Sequence, residues 1–487
     1  KELGQSIERE LRQGAGVGAP PIERRERVGE LPLSFAQQRL WFIEQMEPGN
    51  DLYNVPAAIK LTGALDIEAL ERTLTEIVRR HEVLRTSFAS EDGRPVQVIH
   101  PVAPVKLGLI ELSHLRTEER EEQVRQSAQA EAAQPFDLSH CPLWRAQLLR
   151  LSESEHVILF TMHHIVSDGW SIAVLIKEVV VLYSAFSAGE SSPLAELSIQ
   201  YADFAVWQRE YLQGERLEQQ LAYWRRQLQA APTLLNLPID HLRPAVLGHS
   251  GALHLFSLSA ALSESLKELS RRQGATLYMT LLAAFSHLLQ RYSQAEELLI
   301  GTPIAGRNHR EIEQLMGLFV NTLVLRVDLS SDPSFGELIG RVRRVCLEAY
   351  AHQEVPFEKL VEELQPERSL SHTPFFQVMF GLQNTPQEEL KLPGLSLTPI
   401  ELRREVAQFD LVLDLREAST GIEGYFEYNT HVFERATIAR MATHLLTLLE
   451  AIVADPEQRL STLPLLTAAE EQQQLKEWNP ACGEYPR

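Results

Sequence analysis

Cysteine is scarce in this chain: Cys141, Cys346 and Cys482 are the only three among 487 residues. Isolated thiols so far apart exclude a disulfide framework and a CxxC metal pair, and a reducing, cytoplasmic setting fits them best. Basic charge is also in deficit. With 46 Lys and Arg against 66 Asp and Glu the net charge is −20, the wrong sign for a face that neutralises nucleic-acid phosphates. No run of about 18 apolar residues appears, so no membrane span is expected. The N-terminus is charged and amphipathic rather than built like a secretory signal. No repeat with a period of about 20–50 residues is visible, which argues against a solenoid.

What remains is an ordinary globular composition, 44% hydrophobic and 23% charged. The length exceeds the ~250–300 residues at which single cores stop growing, so two lobes are expected. Glu2 to Gln13 reads as a short helix with Leu3, Ile7 and Leu11 on one face, stopped by Gly14-Ala15-Gly16. A charged stretch, Glu23 to Glu30, follows as a linker. Mixed α/β patterning begins at Ser34. Strands are predicted at Asn54–Leu61, Trp144–Leu151 and His156–His163, with helices at about 67–80, 118–133, 171–186, 199–212 and 217–228.

Residues 230–251, punctuated by Pro232, Pro238, Pro244, Gly248 and Gly251, read as an inter-lobe connection. Further strands are predicted at 253–258, 298–302, 322–327, 376–382 and 410–415, and helices at 261–272, 277–291, 334–351 and 436–453. The boundaries that follow are 1–30, the end of something upstream plus a linker; 31–229, one lobe; 230–251; 252–462, the second lobe; and 463–487, a connector.

The chemistry concentrates at His163-His164-Ile165-Val166-Ser167-Asp168-Gly169. Adjacent strand residues point to opposite faces, so one imidazole enters a cleft while the other packs beneath it, and the two do not converge on a metal. Arg80-His81-Glu82-Val83-Leu84-Arg85 begins like a zinc-protease helix but lacks the second histidine, so no metal site is expected. Ser171 reads as a helix cap, since no Gly-x-Ser-x-Gly elbow surrounds it. Trp207 and Tyr201 lie at apolar spacing, where core packing is the commoner fate of large aromatics. Asn321 and Thr322 follow an apolar run and are placed at the lobe junction, and Ser34 is positioned to cap a helix.

The histidine run resembles the HHxxxDG signature of condensation domains of nonribosomal peptide synthetases, relatives of chloramphenicol acetyltransferase. Further stretches resemble that family's signatures in order: Ser34 to Trp41, Arg80 to Phe88, Met162 to Ser171, Tyr201 to Trp207, Met316 to Thr322 and His352 to Glu358. The resemblance covers about Leu31 to Pro464. It departs at Arg368 to Phe375, where an expected Asp and a second Arg are missing.

The resemblance implies a V-shaped pair of α/β lobes with the site at their junction. It also implies aminolysis of a thioester, with both reactants on phosphopantetheine arms of carrier proteins and no cofactor bound by the domain itself. His164 faces the channel as base or amine anchor, His163 orients it, and Gly169 allows a tight turn and offers an N–H to an oxyanion. Asp168 pairs with Arg80, and Arg85 and Ser171 support the loop. Trp207, Asn321, Thr322 and Ser34 are candidate substrate contacts.

Upstream and downstream carriers and an adjoining adenylation domain are the expected partners. No nucleic acid or membrane is expected, and the excised domain is expected to be monomeric. The type joining an L-donor to an L-acceptor is preferred. Epimerisation, starter acylation, a coenzyme A-dependent free-standing acyltransferase and a non-catalytic recruitment platform are the alternatives, and a heterocyclisation domain would carry aspartates in place of the histidines.

Overall fold

The computed structural model describes residues 19–232, 234–366, 369–383, 391–400 and 406–473. The predicted helix at Glu2–Gln13, Arg368, the tail segment Glu477 to Pro480 and Cys482 lie outside them.

Among the described residues the first half builds a five-stranded sheet in the order β12-β2-β7-β6-β5. Its strands are β2 (Asn54–Gly63), β5 (Gly108–Glu111), β6 (Trp144–Arg150), β7 (Glu155–His163) and β12 (Leu395–Pro399). A smaller sheet, β1-β4-β3, combines β1 (Leu31–Pro32), β3 (Thr86–Glu91) and β4 (Arg94–Ile99). The second half forms a six-stranded sheet, β10-β9-β11-β13-β14-β8. Its members are β8 (Gly251–Ser259), β9 (Glu297–Ile304), β10 (Asn321–Asp328), β11 (Val378–Gln383), β13 (Leu411–Ala418) and β14 (Gly421–Asn429).

Alternation decides how each sheet is covered. In β14, Ile422, Gly424, Phe426 and Tyr428 are buried while the residues between them are partly exposed. The buried face packs with the helices Ala260–Arg272, Leu277–Ser293, Phe335–Ala351 and Arg435–Ala454 in one large apolar core. Burying a Leu or Phe side chain is worth roughly 1.5–3 kcal/mol, so a core containing Phe285, Phe335, Phe380 and Phe426 accounts for much of what holds this half together.

Two helices, Gly169–Ser187 and Arg435–Ala454, are long and apolar enough to cross a bilayer by length and composition alone. This differs from the expectation drawn from continuous apolar runs, because a few charged residues such as Lys177 and Glu178 interrupt the first. Both present buried faces to the protein, Leu175, Leu182 and Tyr183 on one and Ile438, Met441 and Leu445 on the other.

Among the described residues, three segments cross between the halves. The helix Gly214–Leu228, assigned by sequence to the first lobe, packs instead on the second: Leu221, Tyr223, Trp224 and Leu228 join its core, and Trp224 Nε1 donates to the His352 carbonyl at 2.9 Å. Its amphipathic pattern demanded an apolar partner without specifying which. Strand β12 leaves the second half and pairs antiparallel with β2. The loop between β9 and β10 buries Ile312, Leu315, Met316, Leu318 and Phe319 in the core of the first half. This bridging loop positions the site.

Candidate active site

Strand β7 ends at His163, and His164 opens the turn that follows. The His163 N–H bonds to the Leu143 carbonyl at 2.9 Å and the His164 N–H to the Tyr53 carbonyl at 2.8 Å, so the strand end is held from both sides. A single 3-10 turn, His164–Val166, then sinks Ile165 and Val166 fully into the core. The chain emerges into the helix Gly169–Ser187.

The two rings have opposite environments, His163 as the last residue of the strand and His164 as the first of the 3-10 turn. His163 is buried near Phe136 and Tyr53, and its Nδ1 accepts the Ile165 N–H at 3.1 Å. Burial, reinforced by the charge of His164, pushes its pKa down to about 3. The ring is therefore neutral near neutral pH.

His164 is half-buried, and its Nδ1 lies 2.7 Å from the Ser167 carbonyl oxygen. A carbonyl only accepts, so Nδ1 carries a proton, and in the neutral ring the lone pair is on Nε2. Among the described residues Nε2 makes no hydrogen bond to protein.

Asp168 supports this turn. One carboxylate oxygen accepts from Ser171 N at 2.7 Å, capping the helix, and from Ser171 Oγ at 2.7 Å. The other accepts from Phe319 N at 2.9 Å in the bridging loop. Its charge partner is Arg307, at 3.1 Å, with both side chains almost fully buried.

The expected pairing with Arg80 is thereby corrected. Arg80 pairs with Glu178 at 3.1 Å. His81 Nε2 lies 3.1 Å from the same carboxylate, and His81 Nδ1 accepts from Met316 N at 3.3 Å. Glu178 lies about 15 Å along the helix from Asp168, ten residues at ~1.5 Å each, so one arginine does not serve both. Nothing in the local pattern marked Arg307, 139 residues away in sequence; the one available signal was that a buried Asp168 requires a cation.

Other expected roles are also redistributed. Asp168, not Ser171, is the helix cap; the Ser171 hydroxyl lies 2.9 Å from the Gly317 carbonyl and accepts from Gly317 N at 3.0 Å. Gly169 is the first helical residue, has no positive φ, and has nothing within 4 Å of where a Cβ would stand. No tight turn requires a glycine here; the space beside it is open.

Ser34 is fully buried, caps the helix Phe35–Met46 and lies 2.8 Å from the Tyr201 hydroxyl. Arg85 donates to the His100 carbonyl at 2.5 Å. Asn321 commits its amide to the Gln353 and Val355 carbonyls and accepts from Phe357 N at 3.0 Å, so it braces the 353–357 turn. Thr322 is half-buried on β10.

Trp207 lines a pocket between the halves together with Phe204, Tyr211, His309, Glu354 and Glu358. It stacks on Tyr211 with ring centroids 4.5 Å apart. Nearby, Arg39 of the first half lies 3.4 Å from Glu358 of the second, and both keep partial solvent access. Burial raises the Glu358 pKa against the pull of Arg39.

The family model "Condensation domain" matches residues 27–475. The chain belongs to that family. One of the linear gramicidin synthase proteins of Brevibacillus parabrevis is 51% identical over 463 residues, which are 95% of this chain and 9% of that protein. The phosphinothricin tripeptide synthetase PhsC of Streptomyces viridochromogenes is 41% identical over 487 residues, 99% of this chain and 44% of that protein.

The condensation domain thus spans well under two thirds of these curated relatives. Among solved structures, the X-domain from teicoplanin biosynthesis superimposes with a TM-score of 0.84 at 32% identity, covering 92% of this chain and 100% of that one. The fold is the mixed α/β, two-lobed, chloramphenicol acetyltransferase-like one.

Proposed function

We propose that this condensation domain forms an amide bond between a donor aminoacyl or peptidyl thioester and the amine of an acceptor aminoacyl thioester. Both are substrates carried on phosphopantetheine arms of neighbouring carrier proteins. The observation that carries this reading is the His164 ring: Nδ1–H is tied to the Ser167 carbonyl, leaving Nε2 as an acceptor without a protein partner among the described residues. The kinship with synthetases over nearly the whole chain supports it.

In the reaction the acceptor nitrogen attacks the thioester carbonyl, the C–N bond forms and the C–S bond breaks. The proton lost by nitrogen passes to Nε2 and from there to the departing thiolate. An α-amino group with a pKa near ~8 is already roughly a tenth unprotonated at neutral pH, so deprotonation costs only about 1.4 kcal/mol. Holding two tethered reactants end to end is the larger task, worth about 7–11 kcal/mol.

In this reading His163, Asp168, Arg307 and Ser171 are positioning residues. The open space beside Gly169 admits the reacting atoms, and its N–H faces the developing oxyanion. Trp207 and Thr322 are retained as substrate contacts; Ser34, Asn321, Arg80 and Arg85 act through the structure around the site. A carrier upstream, a carrier and an adenylation domain downstream, an L-configured donor, a monomeric state when excised and a cytoplasmic setting complete the proposal. The free thiols Cys141 and Cys346 are in keeping with a reducing compartment.

The test supplies two loaded carriers to wild type and His164→Ala and follows dipeptidyl thioester by mass spectrometry. A loss between about 10²- and 10⁴-fold is expected for removal of a general base. Equal product would remove His164 from the mechanism, and epimerised donor without dipeptide would make the domain an epimerase.

A second reading, a non-catalytic recruitment platform, draws on the likeness to the X-domain, which has been solved in complex with OxyB. A ring with its tautomer set and its second nitrogen unengaged favours catalysis. Absence of dipeptide from wild type would favour the platform.

A further inference from the structure

The charged stretch that reads as a linker by composition is built into the first lobe. Ile22 is 5% exposed and sits in the core cluster that contains Leu33, Tyr201 and Phe204. The indole N–H of Trp207 donates to the Pro20 carbonyl at 2.9 Å. The Arg25 backbone N–H donates to Asp203 Oδ1 at 2.8 Å, and the Arg25 side chain pairs with Glu210 at 2.7 Å.

Arg27 is the main anchor. It is bidentate on Asp203, at 2.6 and 3.1 Å, and reaches Glu82 at 2.7 Å. The Asp203 side chain is fully buried, so it requires a cation, and the segment supplies it. The acceptors belong to two distant parts of the lobe: Asp203 and Glu210 on the helix Tyr201–Tyr211, and Glu82 in the turn after the helix Ile67–Arg80.

We infer that residues 19–30 are a docked strap, and that the strap fixes the chain leading to the upstream carrier at the Trp207 rim of the inter-half pocket. The inference rests on the proposed function in one respect, that a carrier lies upstream. A docked segment contributes no free length to the tether. The donor carrier therefore starts its search from Pro20, next to Trp207, rather than from Leu31. Effective concentration falls roughly as the −3/2 power of free length, so doubling the free tether lowers it about threefold.

The same helix that holds the strap also holds the bridging loop, because the Tyr201 hydroxyl donates to the Leu318 carbonyl at 2.6 Å. The tether is thus anchored on the element that locks the loop touching Asp168.

The experiment compares wild type with Arg25→Ala/Arg27→Ala and, as an independent release that leaves the ion pairs in place, Ile22→Ser. Hydrogen–deuterium exchange of the 19–30 segment is measured in the chain carrying its carrier. Slow exchange at Arg25 in wild type and fast exchange in both variants is expected. Condensation is then measured with the donor carrier fused upstream and, separately, with a loaded carrier added in trans.

The fused rate should fall about threefold while the trans rate stays within about twofold. Fast exchange in wild type, or equal losses in the fused and trans assays for both variants, would overturn the inference. If no form condenses, the functional reading fails while the exchange data still decide the strap.

Discussion

Replacing Asp168 by Ala tests whether this carboxylate takes part in proton transfer or holds the loop. Removing it strips partners from Ser171 N, Ser171 Oγ and Phe319 N, which lie 2.7, 2.7 and 2.9 Å from it. It also leaves Arg307, 5% exposed, without its counter-charge. Breaking one side of a buried pair costs about 3–5 kcal/mol, whereas removing both sides costs less than the sum, since no orphaned charge remains.

A double-mutant cycle with Arg307→Met, read by urea denaturation, should therefore show a coupling of about 2–3 kcal/mol. The parallel cycle with Arg80→Met should be additive within about 0.5 kcal/mol, because Arg80 answers to Glu178 at a distant point on the helix. Condensation by Asp168→Ala should fall together with stability. The pH dependence of the residual rate should keep its wild-type form, because no proton passes through Asp168. Coupling to Arg80 exceeding that to Arg307 would refute this assignment. So would an Asp168→Asn variant of unchanged stability whose turnover vanishes with an altered pH profile, since the carboxylate would then be chemical.

Two further outcomes follow from the same geometry. Gly317 has φ +151°, and a Cβ there would stand 1.9 Å from Tyr201, so Gly317→Ala should lose about 1–3 kcal/mol in urea melts. Gly169→Ala, with nothing within 4 Å, should stay within about 0.5–1 kcal/mol of wild type; equal losses for the two would refute the packing argument. For acid stability, His163 has its folded pKa pushed down to about 3 and His287 to about 4 by burial. The unfolded chain binds protons near pH ~6.5 that the folded chain refuses. Their contribution is thus complete above ~6.5 and is lost as pH falls toward those depressed values, a few kcal/mol each. The expected result is a denaturation midpoint that drops steeply between about pH 6.5 and 4 and shallows in His163→Asn or His287→Asn; an unchanged slope in both would refute it.

What was legible in the sequence was local. The alternation in β7, the two histidines at its end and the helix after Asp168 each announce themselves within a few residues. The opposite environments of His163 and His164 are what strand period leads one to expect, although His164 stands in the 3-10 turn just past the strand. Strand β14 carries an alternating pattern of the same kind, with Gly424 breaking its apolar series, and was not predicted. Strand β12 is five residues long and ends in a proline, too short for periodicity to speak, and nothing in it names the edge of β2 as its partner. The strap failed differently: Arg and Glu side chains read as solvated until a buried Asp203 is known to stand opposite.

The unread contacts share one physical character, which bears on how such a site persists. Each joins a local motif to a group far away in sequence: Asp168 to Arg307 and to the Phe319 N–H, His81 to the Met316 N–H, Tyr201 to the Leu318 carbonyl. All four partners lie within residues 307–319, so a single second-half loop supplies both the charge that Asp168 requires and the apolar residues that seal the first half's core. The first half alone would leave Asp168 without its cation and without the Phe319 N–H. The Asp168 end of the histidine motif is therefore held by both halves packed together, while the contacts that fix His164, to the Tyr53 and Ser167 carbonyls, lie within the first.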